Sequence, residues 1–105
     1  MPLRMSSHRD GGDVTLAARG VIDLATAKQL EGSIAAAIAD DAARSVVVDL
    51  TEVTFLDSVG ISALLKGRRW ADEHGRRYRV TGAAGLVRDV LDLTGVWTHL
   101  SSDVT

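Results

Sequence analysis

Three segments of the chain repeat their apolar residues at the spacing of an amphipathic helix. The first covers residues 25–39, where apolar side chains fall at i, i+3, i+7, i+10 and i+11 and therefore share one face. The second covers residues 58–74 and stops at Gly75, a residue type that often ends helices. The third stops at Gly95. The predicted buried stripes are Ala27, Leu30, Ile34, Ala37 and Ile38; Ile61, Leu64, Leu65 and Ala71; and Val87, Val90, Leu91 and Thr94.

Short runs rich in β-branched and aliphatic residues separate these helices and predict strands. Residues 3–9 and 14–18 flank a glycine turn, so we predict a hairpin. Residues 45–50 form a continuous apolar run, which favours a parallel strand covered on both faces. The other predictions are strands at 76–81 and 96–100 and a connecting loop at 51–56.

Strands that alternate with helices predict an α/β fold, and the initial hairpin makes the sheet mixed. We expect a mixed β-sheet of about four to five strands packed against helices. The length of 105 residues fits one domain, so we predict a single domain over residues 1–105 with its core at about 3–100. Aromatic residues make up only 4%, which predicts an aliphatic core.

The composition argues against several classes of protein. The net charge of −2, with acids and bases interspersed, argues against a nucleic-acid-binding domain. No run approaches the ~18 apolar residues of a membrane helix, and the first ten residues lack the apolar core of a signal peptide. We therefore expect a cytoplasmic protein with no direct membrane insertion. The absence of cysteine removes disulfides and thiolate sites.

Asp57 and Ser58 stand where the second helix begins. Both are good N-cap residues, so a capped helix is one interpretation. One cap needs only one such residue, however, and Gly60 lowers helix propensity by about 1 kcal/mol relative to alanine. Close approach of another group to the backbone would explain the glycine. A phosphate on Ser58 would face free N–H groups and the positive end of the helix dipole, so the junction also suits a phosphoacceptor.

Other chemistries have less support. The nucleophile elbow of a serine hydrolase requires glycine at the position of Leu56. None of the three histidines is placed as a general base for Ser58. Residues 79–85 match only part of a dinucleotide-binding motif, and turn glycines explain them better. A magnesium site is a further possibility if Asp23, Asp49 and Asp57 gather at one edge of the sheet. The spacing of these residues in the sequence does not require that arrangement. We predict no metal, no cofactor and no catalytic residue.

Basic residues cluster in and after the second helix. We interpret this cluster as a solvated face, with an electrostatic patch for an acidic protein as the alternative. Its members are Arg68, Arg69, Arg76, Arg77 and Arg79.

Four stretches of the chain resemble the anti-anti-sigma factors, or anti-sigma factor antagonists, of the STAS domain family. They are GVID at 20–23, VVVDL at 46–50, VTFLDSVG at 53–60 and VRDVLDLTG at 87–95. The resemblance spans roughly residues 3–100. Its most specific part is the Asp-Ser-x-Gly element between a strand and a helix.

The resemblance implies that the protein works by partner switching. In that family an anti-sigma factor with serine kinase activity phosphorylates the serine that matches Ser58. The unphosphorylated protein binds this kinase and frees a sigma factor, and a phosphoserine phosphatase resets the switch. The implied partner-binding residues are Asp23, Asp57, Ser58, Val59, Gly60, Ser62 and Lys66. Two alternatives stay open: a STAS subunit of a lipid-transport ATPase, and a nucleotide-sensing STAS domain.

Overall fold

The computed structural model describes residues 2–101 and contains four strands and four helices within that range. No helix in this part of the chain is both long and apolar enough to cross a membrane. The elements are β1 (Arg4–Asp10), β2 (Asp13–Ile22), α1 (Ala27–Ala39), β3 (Ser45–Leu56), α2 (Ser58–Glu73), β4 (Arg77–Thr81), α3 (Gly85–Leu93) and α4 (Trp97–Ser101).

The four strands form one mixed sheet in the order β1-β2-β3-β4, which confirms the predicted fold class. β1 and β2 form the predicted antiparallel hairpin, and Gly11 in its turn adopts a φ of 61° that favours glycine. β2, β3 and β4 are mutually parallel. Because parallel strands end at the same edge, the loops that follow β2 and β3 lie side by side.

The prediction of a loop at residues 51–56 is wrong, because β3 continues to Leu56. The end of β2 supplies the partner: Val53 pairs with Gly20, and Leu56 pairs with Ile22. Two register shifts interrupt this pairing, and at each of them β3 has one more residue than β2. The segment contains three β-branched residues and neither glycine nor proline, a signal that favours a strand.

The strand predicted at residues 96–100 is also wrong, since residues 97–101 form helix α4. The Leu100 N–H donates to the Val96 carbonyl oxygen at 3.0 Å. Leu100 is fully buried, and Val96 and Trp97 pack against the same core. An apolar spacing of three and four residues suits a helix, but so short a run cannot be assigned from its pattern alone.

The core lies on one face of the sheet. In β3, Val46, Val48 and Leu50 are buried, whereas the residues between them are only half-buried. β2 shows the same alternation. The prediction that residues 45–50 are covered on both faces is therefore wrong, since the opposite face of the sheet remains partly open to solvent.

The helices bury most of the predicted stripes against this face. In α1 the buried residues are Ala27, Leu30, Ile34 and Ile38, and in α2 they include Ile61, Leu64 and Ala71. Three stripe members lie at the margin: Ala37, Leu65 and Val90 are half-buried. Thr94 is exposed, because α3 ends at Leu93.

A buried polar contact ties α2 to the edge strand β4. The Tyr78 hydroxyl donates to the Leu64 carbonyl oxygen at 2.9 Å, and Arg68 donates to the Tyr78 carbonyl oxygen at 3.1 Å. Arg68 is only 6% exposed, so its predicted place on a solvated face is wrong. Arg76 is also engaged, because its guanidinium donates to the Ile38 carbonyl oxygen near the end of α1. The other three basic residues of the cluster are exposed.

Tyr78 predicts a loss of stability at alkaline pH. Burial raises the pKa of its hydroxyl far above the usual value, although the nearby Arg68 guanidinium partly opposes this. The unfolded chain therefore loses the tyrosine proton above about pH 10 while the folded chain keeps it. The free energy of unfolding should then fall by up to about 1.4 kcal/mol per pH unit from this group.

Denaturant unfolding of the wild type and of Tyr78→Phe across this pH range tests the prediction. The variant loses the hydrogen bond to Leu64, about 1 kcal/mol, but should show a shallower alkaline decline. Tyr78 is the only tyrosine, so phenolate absorbance reports it alone. Titration of the folded protein near pH 10 would contradict the prediction.

Candidate functional site

The predicted site lies at the edge where β2 and β3 end together. Ile22 and Leu56 are paired in the sheet, and the Asp57 N–H donates to the Ile22 carbonyl oxygen at 3.2 Å. Asp23 and Asp57 follow these paired residues directly. The sheet thus brings the loop before α1 next to the first turn of α2, which carries Ser58.

Asp57 is the N-cap of α2. Its Oδ1 atom accepts hydrogen bonds from the N–H groups of Val59 at 3.0 Å and Gly60 at 3.1 Å. Ser58 is the first residue of the helix; its side chain is exposed, and its hydroxyl has no hydrogen-bond partner among residues 2–101. The structure thus assigns the cap to Asp57 and leaves the Ser58 hydroxyl free.

The cap also changes what a phosphate would find at this helix. The sequence suggests free N–H groups, but Asp57 already occupies those of Val59 and Gly60. The next N–H, that of Ile61, donates to the Asp57 carbonyl oxygen at 3.0 Å. A phosphate on Ser58 would therefore gain the helix-dipole interaction, about 0.3–1 kcal/mol, while remaining beside the Asp57 carboxylate.

Gly60 allows the first turn of α2 to pack against the ends of β2 and β3. A Cβ atom at this position would lie 2.5 Å from Leu56 Cδ1 and 2.7 Å from Ile22 Cγ2. The group that approaches the backbone is thus part of the chain itself. The interpretation of Gly60 as room for an external group is not needed.

Asp23 organises the turn before α1. Its Oδ1 accepts from the N–H groups of Ala25 at 3.0 Å and Thr26 at 3.2 Å. The Asp23 N–H in turn donates to Thr26 Oγ1 at 3.0 Å. Asp23 therefore caps this turn rather than α1 itself, which begins later, at Ala27.

The remaining predicted partner-binding residues lie along α2. Ser58, Ser62 and Lys66 are exposed and spaced four residues apart, so they share one side of the helix. Lys66 Nζ lies 3.4 Å from Glu31 Oε2 on α1. Val59 is half-buried. The predicted residues thus lie at this edge of the sheet and along the adjoining side of α2. The structure adds Glu31, which lies close to Lys66 because α1 packs against α2.

Sequence reasoning missed two exposed apolar side chains at this edge. Leu24, next to Asp23, is 76% exposed, and Phe55, which pairs with Val21, is 49% exposed. Leu24 does not belong to the predicted buried stripe of α1. That is the one feature of the sequence that could have indicated its exposure. Phe55 lies in the segment predicted as a loop.

The alternative chemistries gain no geometric support. Asp49 lies seven residues before Leu56 in β3, roughly 20 Å along the strand, and its Oδ1 accepts from the Thr51 N–H. Among residues 2–101 no group of three histidine or acidic side chains is arranged to hold a metal. Gly82 and Gly85 both have positive φ, as turn glycines do. His74 follows the far end of α2, about 24 Å from Ser58.

Comparison with known proteins agrees with the fold. The family model described as "Mlab, STAS domain" matches residues 5–101. The chain belongs to the STAS domain family. No curated protein sequence matches it.

Several solved structures share this STAS fold. An anti-sigma factor antagonist from Mycobacterium paratuberculosis is 28% identical, with a TM-score of 0.83 over 93% of this chain and 82% of that one. SpoIIAA in its unphosphorylated form is 20% identical, with a TM-score of 0.79 over 97% and 89% of the two chains. Bacillus SpoIIAA in its phosphorylated form is 19% identical, with a TM-score of 0.72 over 97% and 92%. The STAS domain described here is thus similar in fold to anti-sigma factor antagonists.

The Asp57 cap gives a prediction for the stability of this STAS domain. Asp57→Ala removes the side-chain acceptor for two N–H groups and should lower the free energy of unfolding by about 1 kcal/mol. Asp57→Asn keeps an acceptor oxygen and should lose clearly less. Thermal unfolding of the three proteins measures the difference. No loss in Asp57→Ala would contradict the stabilising cap.

Proposed function

We propose that this chain is an anti-sigma factor antagonist that is switched off by phosphorylation of Ser58. Without phosphate it binds an anti-sigma factor that has serine kinase activity, and a sigma factor is released. A phosphoserine phosphatase restores the binding form. The protein acts in the cytoplasm and has no catalytic residue of its own. The observation that carries the proposal is the exposed Ser58 hydroxyl, left without a partner because Asp57 alone caps α2.

The solved structures support a phosphorylated state of this fold. SpoIIAA is known in both an unphosphorylated and a phosphorylated form. The similar protein from Mycobacterium paratuberculosis is an anti-sigma factor antagonist. We extend both properties to this chain, with Ser58 as the modified residue.

The proposed partner-binding residues fall into two groups by exposure. Ser58, Ser62 and Lys66 are exposed and would contact the partner directly. Asp23, Asp57, Val59 and Gly60 are half-buried or buried, so they act mainly by shaping the edge. Gly60 in particular contributes through its packing against Ile22 and Leu56.

Phosphorylation by a kinase tests the proposal. The purified protein is incubated with ATP and, one at a time, with the anti-sigma factors of the source organism that have serine kinase activity. Intact mass should show the gain of one phosphate in the wild type and in Ser62→Ala, but none in Ser58→Ala. Ser62 is the matched control, because it is an exposed serine one helical turn away. Phosphate on Ser58→Ala, or no phosphate with any of these kinases, would overturn the proposal.

A second candidate function is that of a structural or regulatory subunit in a lipid-transport ATPase. Two observations favour it: the matching family model is described as Mlab, and Asp57 completes the helix cap without any modification of Ser58. In that case no kinase would modify Ser58, and Ser58→Glu would leave assembly unchanged. The phosphorylation experiment therefore separates the two functions.

A further inference from the structure

Leu24 is an exposed apolar side chain at the same edge of the sheet as Ser58. Leu24 stands two residues after Ile22 and Ser58 two residues after Leu56, and Ile22 and Leu56 are partners in the sheet. Two residues span at most about 7 Å, and paired strands lie about 5 Å apart. The Cα atoms of Leu24 and Ser58 are therefore within about 20 Å. A typical interface of about 800 Å² per partner is roughly 30 Å across and would cover both.

The turn that carries Leu24 is held rigidly. Asp23 Oδ1 accepts from the N–H groups of Ala25 and Thr26 at 3.0 and 3.2 Å. Thr26 Oγ1 accepts from the Asp23 N–H at 3.0 Å and donates to the Val21 carbonyl oxygen at 2.8 Å. A side chain on a fixed backbone loses little conformational freedom on binding, so more of its burial appears as affinity.

The charge around Leu24 indicates the kind of surface that complements it. Asp23 and Asp57 each use Oδ1 for hydrogen bonds within the chain. Their Oδ2 atoms make no hydrogen bond or ion pair with residues 2–101, so this edge presents two carboxylate oxygens. Lys66, the predicted basic contact, is already paired with Glu31. The edge thus places two carboxylates beside an apolar side chain, with Lys28 as an exposed cation in the first turn of α1.

We infer that Leu24 is the apolar anchor of the interface with the anti-sigma kinase. It inserts into an apolar pocket of the kinase, and a basic side chain at the rim of that pocket faces Asp23. The inference rests on the proposed function and adds a division of roles to it. Leu24 contributes affinity in the unphosphorylated form, because its apolar side chain is buried in the interface. Ser58 contributes the switch, because its phosphorylation releases the kinase.

Replacement of Leu24 by alanine tests the anchor. We expect the dissociation constant for the kinase, and the KM for phosphorylation of Ser58, to rise roughly 10- to 100-fold, the effect of losing a buried leucine at the centre of an interface. The kcat should not change, because the Ser58 junction is intact. Leu24→Met keeps the apolar volume and should retain most of the affinity.

Leu86→Ala is the matched control. Leu86 lies in α3 and is 76% exposed, as Leu24 is, so both variants remove the same side chain from a similar environment. The probe is the purified kinase that phosphorylates the wild type, and circular dichroism verifies that each variant is folded. Calorimetry gives the dissociation constants, and initial rates give KM and kcat.

Three results would overturn the inference. Wild-type affinity in Leu24→Ala excludes an anchor while the proposed function stands. An equal loss in Leu86→Ala shows that any exposed leucine has the same effect. Failure of every kinase to phosphorylate wild-type Ser58 overturns the proposed function, and the anchor with it.

Discussion

Ser58→Glu should bind the anti-sigma kinase roughly 100-fold more weakly than the wild type, whereas Ser58→Ala should bind it as tightly. Ser58 is exposed at the start of α2, so either side chain can be accommodated without disturbing the fold. A glutamate in the first turn of a helix is favourable by about 0.3–1 kcal/mol. Any loss of binding therefore arises in the complex.

The loss arises because the interface excludes water. Two unit charges about 4 Å apart repel by about 1 kcal/mol in bulk water and by about 4 kcal/mol at an effective dielectric constant near 20. The neighbour of Ser58 is Asp57, and its Oδ1 is held in place by the helix cap. Bringing a second negative charge into this environment costs about 3 kcal/mol on binding, or roughly 100-fold in affinity. Phosphoserine, with about −1.5 to −2 charge, should have a larger effect.

Ser7→Glu separates the local charge from the net charge. Ser7 is an exposed serine in the edge strand β1, and this variant has the same total charge as Ser58→Glu. It should bind the kinase like the wild type in a calorimetric titration. Equal affinities for the wild type, Ser58→Ala and Ser58→Glu would contradict the switch, and so would an equal loss in Ser7→Glu.

Gly67→Ala should destabilise the fold by about 2 kcal/mol, although alanine is the better helix former. A Cβ atom at this position of α2 would lie 2.7 Å from Tyr78 Oη and 2.9 Å from Ile34 Cγ2. Tyr78 is 2% exposed and Ile34 is fully buried, so neither side chain has room to move away. Overpacking costs about 1–3 kcal/mol, and displacement of the Tyr78 hydroxyl from Leu64 costs about 1 kcal/mol more. The gain in helix propensity, about 1 kcal/mol, offsets only part of this.

Gly32→Ala is the matched control for Gly67→Ala. Gly32 lies in α1, and a Cβ atom there would have no neighbour within 4 Å. The same substitution should therefore stabilise the protein by about 1 kcal/mol. Urea unfolding of the two variants should differ by about 3 kcal/mol. If Gly67→Ala raises the urea midpoint as Gly32→Ala does, close packing around Gly67 does not determine the stability of this variant.

The helices were largely predictable from the sequence because their signal is local. The apolar residues of α1 recur at helical spacing, and Leu30, Ile34 and Ile38 are all buried as that spacing predicts. Gly75 marks the end of α2 through its own positive φ of 69°. The hairpin likewise depends on a turn between two adjacent segments. Each of these features is decided by residues close together along the chain.

Several features of the strands and of the packing depended on residues far apart in the sequence. Residues 51–56 form a strand because the end of β2, more than thirty residues earlier, supplies their hydrogen-bond partners. Arg68 is buried because Tyr78 in β4 provides a carbonyl acceptor beside it. The residues after Val96 form a helix because Leu100 reaches the core. The local patterns at these positions are too weak to decide the outcome by themselves.

The junction at Ser58 combines both kinds of information. The sequence by itself determined that a helix begins at Ser58, since this follows from local periodicity, whereas the end of the strand that leads to Asp57 was predicted as a loop. Only the tertiary structure decided that Asp57 takes the cap and that Gly60 packs against Ile22 and Leu56. It also placed Leu24 at the same edge, because β2 and β3 are parallel neighbours that end together. Spatial proximity of this kind depends on how the strands pair, and the periodicity of one segment does not encode its partner.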